Sequence, residues 1–84
     1  MQLKIFVSQD NIKNGVPGSP VKCPIALALK ESGYKDVYVD ELDISLRKGE
    51  DIVLYSWSLS RPALLFIYRF DHNEPVYPTT FQLR

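Results

Sequence analysis

The spacing of apolar residues switches period along this chain, and that switch restricts the fold more than any other feature. In CPIALAL (Cys23 to Leu29), at 100° per residue, Ile25, Ala28 and Leu29 share one face, with Lys30 and Glu31 opposite. From Val37 the period becomes two. Val37 and Val39 point one way; after Asp40–Glu41 the parity flips and Leu42, Ile44 and Leu46 share a face. RKGE (Arg47 to Glu50) reverses the chain, with Gly49 suited to positive φ, and Ile52 and Leu54 then alternate with Val53 and Tyr55. A helix-period segment does not settle as a strand, nor the reverse, so the chain must be α+β, with an antiparallel meander over its middle third.

The flanking segments complete the expected order. LKIFV (Leu3 to Val7) reads as a strand, and Ser8 can cap a short helix that holds Asp10 near its N-terminal dipole and carries Ile12 inward. That helix is expected to stop at Asn14–Gly15 through a left-handed exit. VPGSPV, with two prolines and a glycine, makes a compact loop. A second helix runs from about Pro24 to Ser32, with proline at its first position and Gly33 past its end. Leu27 falls among its charges and calls for a cover.

SLSRPALLFIYRFD has the composition of a strand but the spacing of a helix: Ala63, Phe66, Ile67 and Phe70 form one stripe, and Ser60 and Pro62 suit a helix start. The segment reads as helix, with Leu65 outside the stripe near Arg69. HNEP ends it, and TTFQL forms a last strand that pairs with the first, tying both termini into the sheet. The expected architecture is one α+β domain over 1–84: an antiparallel sheet of four or five strands with two main helices on one face.

Length and composition narrow the function. Eighty-four residues, 45% hydrophobic and 24% charged, suit one ordinary globular domain with a modest core. Ten basic residues balance ten acidic ones without a like-charge block, so nucleic acid is not an expected partner. No apolar run is long enough to span a membrane, and MQLKIFVSQD lacks the apolar core of an export leader. One cysteine forms no internal disulfide, so a cytosolic location is expected.

Few residues carry chemistry. Cys23 sits at a helix N-terminus beside Lys22, a setting that can activate a thiol, but the nearest candidate base is the single His72, just past another helix. The alternative is a small, buried sulfur at a loop–helix junction. One cysteine and one histidine far apart do not make a metal site, and no cofactor is indicated. The carboxylates of Asp40, Glu41 and Asp43, and of Glu50 and Asp51, read as solvated turn residues, the alternative being an acidic face that engages a basic partner. Gly18, Ser19, Lys22 and Cys23 outline a possible small-ligand or nucleotide site, although the loop lacks a P-loop ending and Pro24 removes one amide. Trp57, Tyr55, Tyr68 and Tyr77 exceed what so small a core needs, and such residues favour interfaces. Trp57, Tyr55, Leu27, Leu65 and Tyr68 are therefore the expected contact surface, and a homodimer would cover Leu27 and Leu65.

The order of motifs adds a setting. Ile12–Gly15 followed by PGS, then CPIALAL, Gly33, and finally FIYRFD with EPVYP and FQL resembles a family of small proteins recurring as uncharacterised open reading frames in bacteriophage and prophage genomes. SWSLSRP, with its tryptophan, departs from that pattern. The resemblance implies a phage setting and a helix over residues 60 to 71, and it implies no activity. The expected role is non-enzymatic: binding a host or phage protein in the host cytosol and interfering with a process such as antiviral defence.

Overall fold

The computed structural model describes residues 3–40, 43–48 and 52–83, and three helices and five strands occur among them. The order is β1 (Leu3–Val7), α1 (Gln9–Asn14), α2 (Pro24–Glu31), β2 (Val37–Val39), β3 (Asp43–Lys48), β4 (Ile52–Ser58), α3 (Arg61–Asp71) and β5 (Thr79–Leu83). The α+β class and the antiparallel pairing follow the periods of the sequence. β1 pairs with β5, from Leu3 opposite Leu83 to Val7 opposite Thr79. β2, β3 and β4 form the meander.

The expected single sheet of four or five strands is instead two sheets, one of two strands and one of three. The chain itself blocks one route to a continuous sheet. Val39 N–H donates to Pro20 O at 2.7 Å, so the 15–23 loop occupies the outer edge of β2. An edge already paired offers no ladder to another strand. Leu42 and Gly49, expected in the meander, lie outside the described residues, as do Glu41, Glu50, Asp51 and the side chains of Ile52 and Leu54.

Local chemistry explains the helix ends. Ser8 caps α1 through a reciprocal box: Asn11 N–H donates to Ser8 Oγ (3.2 Å) and Ser8 N–H donates to Asn11 Oδ1 (2.9 Å). Ile12 points inward as expected, half-buried against the core, and Asn11 is fully buried beside it; Asn11 Nδ2 donates to Glu31 Oε1 at 2.8 Å, joining α1 to the end of α2. A buried amide is tolerated because it is bonded.

The expected left-handed exit at Gly15 is absent. Gly15 is extended (φ −68°, ψ 151°), and a Cβ there would meet Pro24 Cδ at 2.7 Å. Glycine is needed here for close approach, not for positive φ.

α2 and α3 both end in Schellman motifs. In the first, Gly33 takes φ 98° and Tyr34 N–H donates to Leu29 O. In the second, Asn73 takes φ 58° and Glu74 N–H donates to Arg69 O at 2.8 Å. Asparagine is the side chain that best tolerates that conformation after glycine.

The core gathers the inward faces of both sheets and of α2 and α3. Leu3, Ile5 and Val7 of β1 and Phe81 and Leu83 of β5 are buried, as are Ile25, Ala28 and Leu29 on the expected face of α2. On α3, Ala63 and Phe66 are buried and Ile67 and Phe70 half-buried, which confirms the helical stripe. Phe66 meets Phe81 edge-to-face at 5.4 Å between ring centroids, binding α3 to β5.

Candidate functional site

The residues marked out by sequence separate into two groups. The first is the loop ahead of α2. Cys23 is the N-cap of α2, and its Sγ accepts from Ala26 N–H at 3.4 Å. The cap position usually calls for an oxygen acceptor; here it is buried to 4% exposure, where a sulfur is easier to desolvate than a hydroxyl. Burial pushes the thiol pKa up, opposed by the Ala26 and Ile25 amides and reinforced by the charge of Asp71. A raised pKa makes less thiolate, the reverse of activation.

His72 is not brought to the sulfur. Its ring stacks on Tyr68 at 4.1 Å, and Nδ1 lies 2.8 Å from Tyr68 O, which places the ring proton on Nδ1.

Gly18, Ser19 and Cys23 do line one cavity of ≈290 Å³, together with Ile67, Asp40 and Asp71. Lys22 is exposed and lies outside that lining. Backbone donors of that lining are engaged within the fold, Ser19 N–H on Val16 O at 3.3 Å and Val39 N–H on Pro20 O at 2.7 Å. Gly18 N–H donates to Asp71 Oδ1 at 2.9 Å, and Lys22 N–H donates to Ser19 Oγ at 3.1 Å. Two carboxylates on the wall oppose a phosphate electrostatically, although the cavity could accommodate a small ligand by volume.

The loop instead acts as a clamp. Lys30 Nζ donates to Val21 O (2.6 Å), Val39 N–H to Pro20 O, and Gly18 N–H to Asp71, so one segment is fastened to α2, β2 and α3.

The second group holds the aromatic and apolar candidates. Trp57 is only 3% exposed and stands opposite Ile44 in the sheet, so it belongs to the core and presents nothing to a partner. Leu27, expected to point out among charges, is half-buried within the fold. Tyr55 (58% exposed), Leu65 (49%) and Tyr68 (57%) do face solvent. Leu65 and Tyr68 lie on the outer side of α3 and share a depression of ≈510 Å³ with Leu64 and His72. Tyr55 is carried by β4, where it stacks on Trp57 with centroids 6.3 Å apart.

On the other side of Leu65, α3 and the 75–79 segment enclose a groove of ≈390 Å³. Phe66 and Phe81 line it with Leu65, Arg69 and Tyr77, and Arg69 is the one charged group among its described lining residues. Tyr77 is 73% exposed. Sequence reasoning counted Tyr77 among the surplus aromatics but did not place it in a site. The available signal was Pro75-Val76-Tyr77-Pro78, because prolines on both sides stiffen an extended backbone.

Among the described residues no group of three or more His, Cys, Asp or Glu is placed to hold a metal ion. No helix among them is long and apolar enough to cross a membrane. Comparison with known proteins finds no matching family model, no matching curated protein and no matching solved structure.

Proposed function

We propose that this is a small phage-type accessory protein that acts without catalysis, by binding another protein and so modulating a host process such as antiviral defence. One observation carries the reading. α3 buries Ala63 and Phe66 but turns Leu65 and Tyr68 outward, beside a groove walled by Tyr77 and Arg69. Tyrosines around a depression, with an arginine at the wall, are the composition of binding hot spots, and Leu65 adds apolar area beside them. The single cation suits a partner that offers an apolar side chain next to a carboxylate. The phage setting comes from the motif resemblance, and the host process comes from that setting.

Affinity capture from host lysate followed by reconstitution with the purified partner tests the reading. The expected result is one partner whose dissociation constant rises at least about tenfold with Leu65→Asp or Tyr77→Ala. Equal binding by wild type and both variants, or no partner retained, would remove it.

A further inference from the structure

The outer edge of β4 has no strand partner among the described residues and takes no part in lining the α3 groove. β4 is the longest strand, seven residues, and closes one side of its sheet with β3 as its sole strand neighbour among the described residues. The other side of that sheet is treated differently: β2 is three residues long and its edge is bonded to Pro20. Exposed edges are normally blunted by charge, proline, shortness or a covering loop, because their free amides and carbonyls template another strand. IVLYSWS contains no charge and no proline. The protective device it shows among the described residues is a bulge, where the register jumps from Leu46 opposite Tyr55 to Arg47 opposite Val53. Beyond the bulge, Tyr55 to Ser58 remain a regular ladder against β3. Val53 (52% exposed) and Tyr55 stand open on this strand, and Ser56 and Ser58 are exposed beyond them.

We propose that β4 pairs antiparallel with β4 of a second copy, joining two three-stranded sheets into one of six strands. The occupant follows from the chemistry of the edge. A row of alternating backbone donors and acceptors is matched by another extended backbone, which a helix or a folded loop cannot supply. A two-fold axis sets the strand against itself, and an uncharged strand then puts no like charges opposite each other in any register. Cross-strand neighbours share a face, so Tyr55 is covered by apolar or aromatic side chains of the same strand rather than by its serines.

Sedimentation equilibrium of the full chain from ~1 µM to ~1 mM, with amide hydrogen exchange at both ends of that range, tests the pairing. The expected result is a monomer–dimer equilibrium above the 9.6 kDa monomer, with concentration-dependent protection confined to β4. Val53→Lys and Tyr55→Lys, both at solvent-facing positions, are each expected to weaken the dimer at least about tenfold while circular dichroism stays unchanged. Leu65→Asp is expected to leave it intact. A monomer throughout, a dimer protected elsewhere than β4, or a dimer lost in Leu65→Asp but kept in both lysine variants overturns the proposal.

Discussion

The 15–23 loop and the outer side of α3 invite opposite readings from those the structure supports. The loop has the prolines, glycines, hydroxyl and thiol of a ligand site, yet its polar groups are turned inward on the protein. Its amides and carbonyls bind Asp71, Lys30 and Val39. The helix has the apolar content of a core element, yet Leu65 and Tyr68 face water. A loop rich in hydrogen-bonding groups is functional only where those groups remain unpaired. A helix with apolar residues on more than one face has a surface left over once the core is filled.

Substitutions can break or sharpen that contrast. The largest expected effect lies where α3 meets the core: Phe66→Ala removes the contact with Phe81 and should cost about 3–5 kcal/mol in chemical denaturation. Gly15→Ala places a methyl against Pro24 and should cost about 1–3 kcal/mol. If that variant were as stable as wild type, the loop would not be a tightly seated clamp.

Cys23→Ala removes the cap of α2 and should cost about 1 kcal/mol near neutral pH. The same substitution has a pH signature. Because burial raises the thiol pKa in the folded state, the neutral thiol contributes stability that is fully present below the unfolded-state value, roughly 8.5. That contribution is lost as pH rises through the folded pKa, so the gap between wild type and Cys23→Ala should narrow in alkaline buffer. A gap that widened would reverse the sign. An intact fold should also protect the sulfur from alkylating reagents until denaturant is added.

Asp71→Ala, which frees the Gly18 amide at an exposed site, should cost about 0.5–1.5 kcal/mol in the same assay. Leu65→Asp and Tyr68→Ala should change stability by less than about 0.5 kcal/mol, since both side chains already face solvent. A larger loss in either would mean that the outer side of α3 is structural and would weaken its case as a binding surface.

Much of the fold was legible in residue order. The capped start of α1, Pro24 at the head of α2, Gly33 past its end and the Ala63–Phe66–Ile67–Phe70 stripe all depend on neighbours within four or five positions. The candidate site was legible only in part. Leu65, Tyr68 and Tyr55 were placed outward correctly, while Trp57 was not. Trp57 and Tyr55 lie two residues apart on one strand face, stacked on each other, yet one is 3% and the other 58% exposed. Parity assigns a side chain to a face; it does not say how far along the strand the covering layer reaches.

Sequence by itself determined the α+β class and the helix and strand identities. Period, capping and turn chemistry are local, and they act before any tertiary contact forms. Only the tertiary structure decided that the strands divide into two sheets, and that Gly15 serves close packing rather than a left-handed turn. It also decided that the Gly18 amide meets a carboxylate 53 residues away. Each of these depends on which distant surfaces come together, and no residue carries that information in its own neighbourhood.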